Sequence, residues 1–190
     1  MSRSSNNIFL IGFSGTGKSH IGRLVAASLG WQPIDTDVLI TRQEKAPIVE
    51  IFEQGEEHFR SIERGVITDV SSNEHQVVST GGGVPVDESN REIMRKSGVV
   101  VLLRARPDTI QGRLERGLQN RRGAARQGVI RPMIDAEGEG TPIERIEALL
   151  TEREEDYACA DAVVDTDDIS PDLVANRVIE AWRHVSEELQ

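Results

Sequence analysis

Gly12-Phe13-Ser14-Gly15-Thr16-Gly17-Lys18-Ser19 is a complete G-x-x-x-x-G-K-[ST] segment. An apolar run, Ile8-Phe9-Leu10-Ile11, leads into it as a buried strand would. After it, Ile21, Leu24, Val25 and Leu29 recur at one-face helical spacing, and Gly30 stands where that helix should stop. Strand, glycine loop and helix N-terminus together make a phosphate-binding device. The glycines let backbone N–H groups wrap an anionic phosphate, and the helix dipole adds attraction. Gly15, Thr16, Gly17, Lys18, Ser19 and His20 are the candidate nucleotide contacts, with Lys18 on the outer phosphates and the Ser19 hydroxyl available to Mg²⁺. The expected ligand is a nucleoside triphosphate, ATP being the reading carried below. The segment alone does not separate kinases from GTPases or ATPase motors.

Working outward, strand-like runs recur at 7–12, 32–35, 76–80, 98–103 and 162–165. Helical patterns fall between them, at 18–29, 37–45, 56–72, 87–96, 107–116, 141–157 and 170–186. Alternation of this kind predicts an α/β fold, a three-layer sandwich with a five-stranded parallel sheet and helices on both faces. Val99-Val100-Val101-Leu102-Leu103 is apolar throughout, as a strand covered on both faces must be. At 190 residues the chain is read as one domain, 1–190, with its core over about 7–186. The stretch 117–140 interrupts the pattern, with little apolar periodicity and with Arg121, Arg122, Arg126 and Arg131. It is either a surface insertion or a mobile lid, placed at about 117–135, that brings a cation to a transferring phosphoryl group. Arg131-Pro132 is its favoured working piece, because the proline stiffens the backbone beside the arginine.

Composition narrows the partners. The formal net charge of −10 argues against nucleic acid as the main ligand. Lysine occurs only at 18, 45 and 96, so the remaining cations are arginines, which grip carboxylates and phosphates bidentately. The single cysteine, Cys159, permits no intrachain disulfide and fits a reducing compartment. The four histidines show no metal-ligand spacing. The polar start of the chain is too short for a signal peptide, and no run is long enough to span a membrane. A cytoplasmic protein without membrane contact is expected.

Candidates for the second substrate lie at strand ends. Asp35-Thr36-Asp37 follows the second strand, on the carboxyl edge where ligands of open α/β sheets bind. Either aspartate could cap the following helix. Alternatively Asp35 could hold a hydrated Mg²⁺, and Asp37 could accept a hydrogen bond from a substrate hydroxyl. Arg60 and Glu63 share a helix face, as an ion pair or as part of a site. Gly81, Gly82 and Gly83 end the third strand, and consecutive glycines let a ligand approach the backbone closely. Arg153 and Tyr157 lie four apart on the helix expected before the last strand.

Taken in order, GFSGTGKS, the DTD at 35–37, GEEHFRSIE at 55–63, TGGG at 80–83, RPM at 131–133 and REEDY at 153–157 resemble the shikimate kinase family over nearly the whole chain. The resemblance implies a P-loop kinase fold of the nucleoside-monophosphate-kinase type. It also implies transfer of phosphate from MgATP to the 3-hydroxyl of shikimate, on the route to chorismate and the aromatic amino acids. By that likeness Lys18, Asp37 and Arg131 are the catalytic set, and Ser19 and Asp35 serve the metal. Asp37, Arg60, Gly81, Gly82, Gly83 and Arg153 bind shikimate, with 36–63 as the shikimate-binding segment. Arg116 and Pro171 flank the adenine, with Arg113 competing for the place of Arg116. Glu63 fixes Arg60. A monomer is expected by analogy with kinases of this size. An ordinary aspartate, with a pKa of about 4, suits an alcohol proton poorly, so Asp37 is expected to orient the hydroxyl first and take its proton late.

Three departures stand out: His20 where relatives commonly carry Thr, Met133 for the usual Leu, and a longer, arginine-rich 117–130. Two rival readings stay open at this point. One is a kinase of the same fold acting on another acid such as gluconate. The other is a domain that has lost catalysis and senses ligand.

Overall fold

The computed structural model describes residues 3–120 and 140–189, and within them five strands form one parallel sheet in the order β2-β3-β1-β4-β5. The strands are β1 (Asn7–Ile11), β2 (Gln32–Asp35), β3 (Gln76–Ser79), β4 (Val99–Arg104) and β5 (Ala162–Asp165). The helices are α1 (Lys18–Leu29), α2 (Thr36–Glu44), α3 (Ile48–Glu53), α4 (Glu56–Ser71), α5 (Glu88–Ser97), α6 (Pro107–Asn120), α7 (Pro142–Glu152), α8 (Glu154–Tyr157) and α9 (Pro171–Glu188), with a 3-10 turn at Val84–Val86. The expected five-stranded parallel sheet is the one observed.

Central β1 pairs with β3 on one side and β4 on the other, so that Phe9 lies between Val78 and Val100. Its side chains alternate between two apolar layers, as a period of two requires. Ile8 and Leu10 pack with Ile21 and Val25 of α1 and Val174 and Val178 of α9. Phe9 and Ile11 pack on the other face, with Ile40, Phe59, Ile67 and Met94 from α2, α4 and α5. A smaller cluster of Phe13, Ala105, Ile110 and Ile146 closes the carboxyl end beside the glycine loop. The sheet therefore presents its carboxyl edge, with the ends of all five strands, as one floor.

Local chemistry explains where elements depart from expectation. Asp35 is itself the N-cap of α2, its Oδ1 accepting from the Val38 N–H at 3.2 Å, so the helix starts at Thr36. Helix α3 has no counterpart in the sequence pattern. Six residues are too few for a helical period, and what holds them is tertiary packing: Ile51 is buried and Phe52 lies 5.2 Å from the Phe59 ring. Helix α6 continues to Asn120 rather than ending at 116. An interior glycine such as Gly117 costs only about 1 kcal/mol, and no proline follows within the helix. Residues 117–120 of the expected lid are thus helical, while 121–135, with Arg131, lie outside the described residues. The single helix expected at 141–157 is two helices. Thr141 starts α7 with a reciprocal capping box to Glu144, and the chain leaves helical geometry at Arg153 (φ −95°, ψ 2°) before α8. Among the described residues, no helix is long and apolar enough to cross a membrane.

Candidate active site

At the end of β1 the backbone turns through Gly15 (φ 89°) and Gly17 (φ 100°), in the left-handed region that side-chain-bearing residues avoid. No side chain caps α1, and no acidic residue lies in its first turn. The positive end of the helix is left to an external anion. Lys18 is buried, and its Nζ donates to the carbonyls of Gly12 at 2.7 Å and Phe13 at 2.9 Å. Ser19 and His20 are exposed at the mouth.

Arg113 of α6 braces this loop. Its Nη1 donates to Thr166 Oγ1 at 2.9 Å and lies 3.3 Å from the Thr16 carbonyl, while Nη2 donates to the Thr166 carbonyl at 2.6 Å. Arg116 is exposed and donates to Gly112 of its own helix at 3.1 Å. Of the two arginines, three residues apart on one helix face, the structure brings Arg113 rather than Arg116 to the glycine loop. Pro171 opens α9 just beyond the Thr166 loop, with Ser170 as its cap.

The opposite side of the floor gathers residues from four segments. Arg60 on α4 donates through Nη1 to Glu63 Oε2 at 2.9 Å and through Nη2 to Glu56 at 3.2 Å. Arg153, at the break between α7 and α8, is buried and donates to the Gly82 carbonyl at 3.3 Å, which also accepts from the Tyr157 hydroxyl at 3.1 Å. None of the glycines between them has a positive φ; at Gly81 and Gly83 it is contact with site side chains that a substituent would disturb. A Cβ on Gly81 would lie 2.7 Å from Asp37 Oδ1, and one on Gly83 would lie 2.5 Å from Arg60 Nη1. A Cβ on Gly82 would lie 3.4 Å from the Ser14 nitrogen of the glycine loop. Two arginines, one aspartate and a side-chain-free backbone thus converge beside a phosphate cradle.

The chain matches the family model described as Shikimate kinase over residues 14–183. The chain belongs to the shikimate kinase family. Among its relatives, a shikimate kinase of Geobacter metallireducens is 42% identical over 164 residues, covering 86% of this chain and 84% of that one. Another, from Caldanaerobacter subterraneus, is 38% identical over 177 residues, covering 93% and 95%. A solved shikimate kinase from Acinetobacter baumannii, in complex with shikimate, superposes with a TM-score of 0.82 at 29% identity, covering 99% of this chain and 97% of that one.

The electrostatics of the arginine face centre on Glu63. Burial pushes its carboxyl up to about 6 from the ordinary 4.5, Arg60 draws it back in part, and the charge of Asp37 adds to the rise. Burial also works against the Arg60 charge, but Glu63 and Glu56 outweigh it and hold the guanidinium above its usual value. The donor set near the loop fits Mg²⁺. Ser19 offers a hydroxyl, and Asp35 spends one carboxylate oxygen on its cap. No group of three or more His, Cys, Asp or Glu that could cage a metal occurs among the described residues. A hydroxyl and a carboxylate oxygen are hard oxygen donors of the kind Mg²⁺ takes, beside waters and phosphate oxygens.

Four residues of the site escaped the sequence reading. Thr36 is fully buried, and its Oγ1 accepts from the Gly81 N–H at 2.9 Å, tying α2 to the glycine segment. Phe13 lies under Arg153, and Ser79 Oγ donates to the Lys18 carbonyl at 3.0 Å. Thr166 receives Arg113. Only Thr36 had a local signal, its place between two aspartates at a strand end.

Proposed function

We propose that the protein transfers the γ-phosphoryl group of ATP to the 3-hydroxyl of shikimate, giving shikimate 3-phosphate and ADP, a step toward chorismate and the aromatic amino acids. The observation that carries this reading is the convergence of Arg60 and Arg153 on the Gly81–Gly83 segment beside Asp37, next to the glycine loop. Two guanidinium groups select an acid, and an aspartate between them and the phosphates can receive its hydroxyl.

The nucleotide phosphates lie on the N–H groups of Gly15, Thr16, Gly17 and Ser19, at the positive end of α1. Lys18 exchanges the carbonyls of Gly12 and Phe13 for phosphate oxygens, and Arg116 and Pro171 flank the base, with Arg113 bracing the loop through Thr166. Ser19 and, through water, Asp35 would hold Mg²⁺, whose chemistry there would be charge neutralisation on the phosphates. Arg60 and Arg153 bind the shikimate carboxylate, and Asp37 orients the 3-hydroxyl toward the γ-phosphorus. The new bond forms between that oxygen and phosphorus as the bond to the ADP oxygen breaks, and the hydroxyl proton passes late to Asp37. The transition state is loose, so positioning and charge carry most of the acceleration. By family resemblance Arg131 adds a cation to the transferring group; it lies outside the described residues. His20, at the exposed mouth, is a further nucleotide contact. The working unit is taken as a cytoplasmic monomer of one domain, 1–190, by analogy with kinases of this size.

The test is ADP release from MgATP with shikimate, with gluconate and with no acceptor. Release that depends on shikimate alone is expected. Release with gluconate instead would overturn the carboxylate clamp, and none with either acid would leave a ligand sensor.

A further inference from the structure

Phe13 occupies the first variable position of the glycine loop, a place where phosphate binding needs only backbone. Its side chain is nonetheless buried, 2% exposed, in the cluster formed with Ala105, Ile110 and Ile146. The Arg153 guanidinium carbon stands 5.4 Å from the centre of the Phe13 ring. The same guanidinium donates to the Gly82 carbonyl at 3.3 Å, and Arg153 is itself only 7% exposed. A buried cation placed over an aromatic face gains from the ring quadrupole, and the gain grows as water is excluded.

We infer that Phe13 is a positioning residue for the acceptor: its ring fixes Arg153 to receive the substrate carboxylate, so that a residue of the phosphate loop determines selectivity for an acid. The inference rests on the proposed role of Arg153 as a carboxylate clamp. It goes beyond that role in assigning the clamp's rigidity to the nucleotide loop. The backbone of Phe13 meanwhile serves the other substrate, since its carbonyl accepts from Lys18 Nζ at 2.9 Å and from Thr16 Oγ1 at 2.9 Å. One residue thereby contacts both halves of the site, through its carbonyl on one side and its ring on the other.

The test is calorimetric titration of the full chain and of Phe13→Leu with shikimate, with shikimate methyl ester and with a non-hydrolysable ATP analogue. Leucine keeps the apolar packing and removes the aromatic face. Shikimate affinity is expected to fall about tenfold, the scale of a desolvated cation–π contact. Affinity for the neutral ester should change less than twofold, as should affinity for the ATP analogue. Phe13→Tyr, which retains the face, should restore most of the shikimate affinity. Equal losses for acid, ester and nucleotide would mean general damage to the loop and would overturn the inference. Should the leucine variant not fold, Phe13→Met, closer in volume, carries the same comparison. Arg153→Lys separates the inference from the reading beneath it. If that change leaves shikimate affinity intact, the clamp itself is wrong; if it weakens binding while Phe13→Leu does not, only the role of Phe13 falls.

Discussion

The phosphate side of the site takes Gly15, Thr16, Gly17, Lys18 and Ser19 from one unbroken stretch, whereas the acceptor side takes Asp37, Arg60, Gly81–Gly83 and Arg153 from four segments spread over more than half the chain. On the first side, geometry is set by the backbone: two glycines at positive φ and an uncapped helix. On the second it is set by contact between side chains and glycines that sequence distance keeps apart until the sheet forms. A loop made by local conformation tolerates change around it. A face made by contact depends on every element that delivers a residue to it.

The sharpest way to break this comparison is at the reaction itself. Lys18→Ala or Asp37→Asn should lower kcat by about 10²–10⁴-fold in a coupled ADP assay, since each removes a group acting on the reacting atoms. Near-normal turnover in either variant would remove its assigned role. Next in size, Arg60→Ala or Arg153→Ala should weaken shikimate binding by about 1.5–3 kcal/mol while ATP affinity holds, because a charged hydrogen bond is lost on the acceptor side alone. Equal losses for both ligands would show the two sides to be less separate than their construction implies.

Gly83→Ala probes contact without removing a charge. Its new Cβ would stand 2.5 Å from Arg60 Nη1 and must displace that guanidinium. We expect shikimate KM to rise about tenfold with the melting temperature little changed, on the scale of the misplacement penalties of active sites.

A pH measurement tests the arginine face without substrate. Glu63 has a folded-state pKa of about 6 against an ordinary 4.5, so the folded form holds this proton more tightly. Its contribution to stability is therefore greatest below pH 4.5 and is lost as pH rises to about 6. The difference comes to about 2 kcal/mol at most. Urea unfolding of the protein and of Glu63→Gln from pH 4 to 7 should give curves that diverge across that window; parallel curves would place Glu63 in a less buried setting. The smallest expected effect lies far from the chemistry. Thr141→Ala removes the capping box of α7 and should cost about 1 kcal/mol of stability.

Much of this was legible beforehand because it is periodic or contiguous. The alternation of strands and helices and the cradle at 12–19 are short-range matters, decided by residues within a few positions of one another. Where the sequence left a choice open or drew an element differently, a distant partner decided. Arg113 and Arg116 are equivalent on helix spacing, and only Thr166, brought up by β5, distinguishes them. The helix expected through 153 breaks where Arg153 is drawn toward Gly82 and Phe13. Helix α3 forms because Phe59 offers it a ring to pack against.

The sequence by itself determined the fold class, the phosphate cradle and the family, since hydrophobic period, glycine placement and motif order are properties of the chain. Tertiary structure alone decided which arginine meets the glycine loop, why a side chain on Gly81 or Gly83 would displace Asp37 or Arg60, and that Phe13 lies beneath Arg153. Those are distances between residues far apart in sequence. Such distances exist only once parallel strands bring their carboxyl ends to a common edge.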